Sequence, residues 1–388
     1  MGIKDRFAIC GLGVTRQGRI PGVSSVGFSA EAIHLAIQDA GLRPEDVDGY
    51  IYQGLQAARV GAAQLGEVPK HAGVPVKFIW QMQSGGATAV SAVVAACGAL
   101  EAGAANYVVI VYGSAVLSLG SLIGGTPENA RSNQGAYGLF APGPDHALAA
   151  RRHMYEFGTT HRQLGAIAVT QREYANKRPE AYMHGRPMTL EDHVNSRIIA
   201  DPLHMLDFCL NTDGGVALIV TTAERAKQCK SKPVYIMGAG LGHQVREHYS
   251  KTQYTRLNID APKEAAFREA GVTVKDIDVA ELYDCFTITV LLELEDYGFC
   301  KKGEGGPYVE AGGMKIGGPG VPTNTAGGEL SWAYLQGFTP LTEGIRQMRG
   351  EGGDTQAPNA KIGLVSGHGG TGTGSMAYAH GTLVLRRD

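Results

Sequence analysis

Four short segments of this chain carry groups able to do acid–base work or to hold an oxyanion. They are QSGGATAV from Gln83, YDCF from Tyr283, AYLQG from Ala333 and SGHGG from Ser366. Two of them bring a phenol, Tyr283 and Tyr334. A phenol donates a hydrogen bond as it stands, but with an ordinary pKa of ~10 it needs a cationic or hydrogen-bonding neighbour to serve as a base near neutral pH. His368, in the glycine-rich turn, is the candidate neighbour, with the backbone amides of Gly369 and Gly370 as candidate donors. A tyrosine before an aspartate in an apolar run is more often a packed core residue with a satisfied hydroxyl, so local sequence alone selects neither phenol. Gln83 offers an amide that donates and accepts hydrogen bonds but carries no acyl group, and Ser84 is the hydroxyl beside it.

Other reactive side chains read more plainly. The six cysteines, Cys10, Cys97, Cys209, Cys229, Cys285 and Cys300, lack CxxC spacing and sit mostly in apolar stretches, against a disulfide framework or a zinc site. Cys285, read on a buried strand, behaves as a small hydrophobe rather than a nucleophile. Asp213 in NTDGG is expected to cap or tie a turn. His380 either packs at a strand end or reaches the site. Arg151, Arg152, His153, His161 and Arg162 read equally well as a phosphate-binding cluster or a solvated helix face.

The elements that must position these groups come in an approximate repeat. Phe7 to Gly13 reads as a strand, followed by a helix in SAEAIHLAIQDAG and a second strand after DVDG. The same order returns as VYIMGAGLG, APKEAAFREAG and DIDVAELY. SGGATAVSAVVAACGALEAG and AGGELSWAYLQGFTPLTEGIRQMRG are each a Gly-Gly turn feeding a helix, and NYVVIVYGSA pairs with KIGLVSGHGG as a buried strand. This predicts two α/β halves with buried parallel strands, at 1–115 with 225–233 and at 234–388. Residues 116–224 have no counterpart and are read as an inserted loop or cap domain with some core strands. The polar stretch from Gln244 to Leu257 reads as a surface loop.

Composition narrows the partners. The chain has 388 residues, 44% of them hydrophobic and 19% charged, enough for a large core. A net charge of −2 without a Lys/Arg-rich run makes nucleic acid an unexpected partner. No apolar stretch approaches the ~20 residues of a membrane span, and no cleavable leader is expected. With the scattered cysteines, this points to the cytoplasm.

The order of these motifs resembles the thiolase superfamily over essentially the whole chain, and its sterol-carrier-type branch most closely. The likeness is carried by SRIIADPLHMLDFCLNTDGGVALIVTT, ELYDCFTITVLLELEDYGFC and NTAGGELSWAYLQG. It implies a pseudo-duplicated, five-layered αβαβα fold. In that family a CSxG turn supplies the nucleophilic cysteine. The position falls here on Gln83, with Ser84 one place out of register and Gly86 in the turn. The NEAF or HDCF motif, which helps hold the thioester oxygen, falls on Tyr283. The GHP histidine falls on Tyr334, and the acid–base cysteine of CxGGG on Ser366, ahead of Gly369 and Gly370. All four positions depart from the thiolase pattern and resemble the thiolase-like aldolases of steroid side-chain degradation, whose proposed catalytic residues are two tyrosines. The resemblance implies retro-aldol cleavage of a 3-hydroxyacyl-CoA without an acyl-enzyme, and no cofactor beyond the coenzyme A of the substrate. It also implies a homodimer built around NYVVIVYGSA and its neighbours, and a small OB-fold/zinc-ribbon protein partner. Two alternatives stand beside it: a thiolase or acyltransferase acting on a bulky 3-oxoacyl-CoA, against which Gln83 argues, and a non-catalytic acyl-CoA or lipid-binding homologue.

Overall fold

Helix α1 (Ser25–Ala40) begins where the Ser24 side chain accepts the Gly27 N–H and ends at Gly41, whose φ of 69° only glycine takes readily. In this computed structural model the described residues are 2–53, 66–119, 133–139, 142–243, 253–257, 259–369 and 379–388. Gly370 and residues 244–252 of the polar segment lie outside them. In chain order the strands are β1 (Phe7–Val14), β2 (Gly49–Gln53), β3 (Phe78–Met82), β4 (Tyr107–Ser114), the ribbon β5 (Ile198–Ala200) and β6 (Leu203–His204), β7 (Gly214–Thr222), β8 (Val234–His243), β9 (Val279–Glu281), β10 (Ile362–Gly369) and β11 (Ala379–Arg386). The principal helices after α1 are α2 (Glu67–Ala72), α3 (Thr88–Glu101), α4 (Pro142–Phe157), α5 (His161–Ala175), α6 (Asp260–Ala270), α7 (Thr287–Tyr297) and α8 (Phe338–Arg349).

Nine strands form one sheet in the order β3-β2-β4-β7-β1-β8-β11-β10-β9. It is two sheets joined end to end, because β1 and β8 pair only at Ala8–Tyr235 and Ile9–Val234. The two halves match strand for strand: β1 with β8, β7 with β11, β4 with β10 and β2 with β9. The place of β3 is taken in the second half by Thr323, which bridges Ala280 in parallel. Two expectations are corrected here. The strands are mixed rather than all parallel, since β7 runs antiparallel to both β1 and β4, as β11 does to β8 and β10. The range 116–224 also includes β7, which is the counterpart of β11, so the part without a counterpart ends before Gly214.

The pleat of β4 explains the layers. Val109 and Val111 face α1 with Ala32, Ile33 and Ala36, whereas Val108, Ile110 and Tyr112 face a central core with Val90 and Val93 of α3 and Leu341 and Ile345 of α8. That central core also takes Val365 of β10 and Leu383 and Leu385 of β11. Their neighbours Leu364 and Val384 face the opposite way, into a third core with α6, α7 and the α4–α5 pair. Helices, sheet, helices, sheet, helices is the predicted αβαβα order, with α3 and α8 as the middle layer.

Candidate active site

Three chain segments meet on the backbone of Gly86. A Cβ added at Gly337 would lie 1.9 Å from the Gly86 carbonyl oxygen, and one at Gly367 would lie 2.6 Å from the same atom. One at Gly369 would lie 1.8 Å from the Ser84 carbonyl oxygen. These distances admit only glycine, so the turn before α3, the loop before α8 and the end of β10 are pressed together main chain to main chain. A Cβ on Gly86 itself would lie 2.2 Å from Cε2 and 2.4 Å from Cζ of Tyr283, which seats that ring on the junction.

Tyr283 lies in the connector between β9 and α7, as does Cys285, so neither is on a strand as the sequence suggested. The backbone N–H of Tyr283 donates to Ser366 Oγ at 2.8 Å, and the Ser366 hydroxyl donates in turn to Glu293. Ser366 is therefore a fully buried strut for the Tyr283 main chain. The Tyr283 ring stands 6.3 Å from the His368 ring, centroid to centroid, and His368 stands 5.8 Å from His380. His380 Nε2 hydrogen-bonds the Tyr297 hydroxyl at 2.8 Å, and burial together with His368 holds it neutral, well below its ordinary pKa. Both histidines thus line the site side of the second half's sheet.

Tyr334 is carried by the loop between the Gly327-Gly328 turn and α8. Thr212 clamps it from the segment leading into β7: the Tyr334 N–H donates to Thr212 Oγ1 at 3.1 Å, and that hydroxyl donates to the Tyr334 carbonyl at 3.3 Å. Asp213, next in sequence, accepts from the N–H groups of Ile20, Leu117 and Ser118, tying three segments together as expected of a turn residue. Gln336 has a φ of 47°, a strained conformation for a residue with a side chain, and its amide oxygen receives Gln53 Nε2 at 2.6 Å. Gln53 also donates to the Gly85 carbonyl, so the end of β2 joins the Tyr334 loop to the Gly85–Gly86 turn.

Buried carboxyls tie the backbone that carries the two tyrosines, and the sequence reading missed them. Asp284 accepts from the N–H groups of Glu329 and Leu330 and from Gln171 Nε2, at 2.9, 3.1 and 3.0 Å. Burial nonetheless pushes its pKa up to about 7. Glu293 and Glu329 are fully buried and are pushed well above the ordinary carboxyl range by desolvation. The signal was present in the alternation of acids with apolar residues along ELYDCFTITVLLELED, where acids stand at positions that helix and strand packing enclose.

Both phenols are also pushed well above ~10. For Tyr283 the cause is burial, then the proximity of Glu329 and Tyr334; for Tyr334 it is burial, then Cys209 and Glu329. This corrects the expectation of a phenol made more acidic by a neighbour: each stands as a neutral donor. The thiols of Cys285 and Cys209 rise for the same primary reason, burial, and Cys285 Sγ contacts His146 Nε2 and Thr289 Oγ1, both at 3.6 Å.

Two candidates are not gathered here. Gln83 is exposed. The Arg/His group of α4 and α5 does not converge: Arg151 pairs with Asp201, Arg152 with Glu156 and Arg162 with Glu191, while His153 is buried against Thr159 and Glu295. A surface groove of about 890 Å³ bounded by Arg256, Lys263, Glu295, Lys302 and Tyr308 includes neither tyrosine.

Known proteins match this architecture closely. Residues 240–387 fit the family model for a thiolase C-terminal domain-like unit. The chain is 37% identical to the 17-hydroxy-3-oxo-4-pregnene-20-carboxyl-CoA lyase of Mycobacterium tuberculosis, over 90% of this chain and 92% of that one. It is 36% identical to the steroid side-chain-cleaving aldolase of Thermomonospora curvata, over 88% and 90%. Among solved structures, a chain of the Ltp2-ChsH2(DUF35) aldolase superposes with a TM-score of 0.90 at 33% identity, covering 100% of this chain and 99% of that one. The chain therefore belongs to the thiolase superfamily, in its branch of thiolase-like, side-chain-cleaving aldolases.

Proposed function

We propose that this protein cleaves the Cα–Cβ bond of a 3-hydroxyacyl-CoA by a retro-aldol reaction, without a covalent acyl-enzyme and without a cofactor other than the coenzyme A of its substrate. The observation that carries the reading is a glycine junction on which the Tyr283 ring is seated and against which the loop carrying Tyr334 is pressed through Gly337, preceded in the chain by a glutamine at the position of the thiolase nucleophile. Cleavage needs a donor for the thioester oxygen as it becomes an enolate, and a route for the β-hydroxyl proton. Tyr334, held at both its N–H and its carbonyl, suits the first role. Tyr283, beside His368, suits the second: its oxygen accepts the β-hydroxyl proton as its own proton passes to the imidazole, so no free phenolate is required. The proton then returns to Cα of the shortened acyl-CoA. Gly369 closes the junction from β10, and Gly370 follows it in sequence.

The substrates for which the relatives are named, and the DUF35 chain paired with one of them, support a steroid-like acyl group and a small OB-fold/zinc-ribbon partner subunit. The homodimer is assigned to the edge strand β3, whose Trp80 is 43% exposed, rather than to β4, which is enclosed between β2 and β7. Among the described residues no helix is long and apolar enough to cross a membrane. The six unpaired cysteines fit the reducing cytoplasm. The test is steady-state cleavage by wild type, Tyr283→Phe and Tyr334→Phe. Each loss of a hydroxyl should lower kcat on the order of 10²-fold with little change in KM; wild-type turnover in both variants would refute the assignment.

A further inference from the structure

Glu329 is fully buried, and its two carboxyl oxygens have different surroundings. Oε1 accepts the Gly337 N–H at 2.8 Å; Oε2, equally enclosed, meets no hydrogen-bond partner. A buried oxygen without a partner is costly to a fold, and holding Gly337 takes only one of the two. The carboxyl lies at the glycine junction: the Gly337 it holds presses on Gly86, Gly86 in turn carries the Tyr283 ring, and Gly337 stands three residues after Tyr334. Asp284, the residue after Tyr283, accepts the backbone N–H of Glu329 itself. Asp284 has three donors that favour its anion, whereas Glu329 has one. Of the two, Asp284 ionises first and Glu329 keeps its proton. A carboxyl that keeps its proton is a donor.

We propose that Glu329 is a catalytic hydrogen-bond donor whose Oε2–H, at the junction that carries Tyr283 and the Tyr334 loop, donates to the thioester oxygen of the substrate as it becomes an enolate. The inference rests on the retro-aldol reading and adds to it a third, non-tyrosine contact with the reacting atoms. A carboxylic acid kept neutral by an apolar site and placed beside a tyrosine is an effective holder of an enolate oxygen. No proton is added to or lost from the reaction by this role. The β-hydroxyl proton leaves as the Cα–Cβ electron pair moves onto the thioester, a ketone or aldehyde forms at Cβ, and the same proton returns to Cα. Glu329 keeps its own proton throughout.

The test compares Glu329→Met and Glu329→Gln in the protein purified with its partner, using a 3-hydroxyacyl-CoA with a tertiary β-carbon. Methionine fills the space without a donor, and kcat should fall on the order of 10²–10³-fold with KM nearly unchanged. Glutamine keeps an acceptor for Gly337 and places an N–H at the second position, so it should recover much of that loss and stay roughly tenfold below wild type. A methionine variant with wild-type kcat would overturn the proposal. So would equal losses in both variants accompanied by a raised KM and a lowered unfolding midpoint, which would make Glu329 a structural tie to Gly337. Failure of the retro-aldol reading looks different: wild type itself would leave the 3-hydroxyacyl-CoA intact and act only on a 3-oxoacyl-CoA with free coenzyme A.

Discussion

Replacing Gly86 by alanine adds one methyl group at the point where the Tyr283 ring, the His368 main chain and the α8 loop converge. The new Cβ would sit 2.2 Å from Tyr283 Cε2, 2.4 Å from Tyr283 Cζ and 2.4 Å from the His368 carbonyl oxygen. Carbon atoms pack no closer than ~3.5 Å, so the ring must retreat by about 1.3 Å or the turn must lift off β10. Gly86 does not have a positive φ, so the effect is steric and not a matter of backbone strain. Overpacking of this kind costs about 1–3 kcal/mol in stability, and a displacement of about 1 Å in a reacting group costs on the order of 10² in rate. The assay is urea unfolding of Gly86→Ala alongside its kcat for the 3-hydroxyacyl-CoA. In a Tyr283→Ala background two of the three closest atoms are gone, and the added stability cost of Gly86→Ala should shrink in a double-mutant cycle. Wild-type midpoint and turnover in Gly86→Ala would refute the seating of Tyr283 on this glycine.

Other perturbations separate site from scaffold. Gly98 stands within α3 with open space where a Cβ would go, so Gly98→Ala should raise stability by about 0.5–1 kcal/mol and leave turnover unchanged, as thermal unfolding and kinetics will show. Asp284, at about 7 in the folded protein against ~3.9 unfolded, holds a proton that unfolding releases. Its contribution to stability is therefore fully present below pH ~4 and declines as pH rises to about 7, by an amount on the order of 4 kcal/mol. Asp284→Asn should flatten that decline in urea midpoints taken across the window, and parallel curves for the two proteins would contradict it. Trp80→Glu on the exposed edge of β3 should convert the proposed dimer to a monomer in sedimentation, and an unchanged dimer would place the interface elsewhere.

Much of this arrangement is legible in sequence because it is local. The repeat shows in matched helix and strand runs, and helix ends such as Gly41 and Gly271 announce themselves by their type. Tyr283 and Tyr334 stand out in sequence because each falls in a short motif that resembles a thiolase site motif, although both lie in connectors between elements. What escaped depends on distant pairing. Nothing between Gly214 and Thr222 says that it pairs with both β1 and β4, and so β7 read as part of an insertion. Glu329 reads as an ordinary helix residue until Asp284 and Gly337, 45 and 8 positions away, are seen to enclose it. The Gln53–Gln336 bond spans 283 positions, and neither glutamine has a neighbour in sequence to suggest it. The Arg/His group of α4 and α5 misled for the opposite reason, since its residues are close along the chain but face different partners.

The most direct test of the central claim is mass spectrometry of both protein and products after the protein, co-purified with the proposed partner, meets a 3-hydroxyacyl-CoA with a tertiary β-carbon. A shortened acyl-CoA and a ketone in equal amounts, with no acyl adduct on the chain, is the predicted result. An acyl adduct on any side chain, or turnover confined to a 3-oxoacyl-CoA with free coenzyme A, would contradict it.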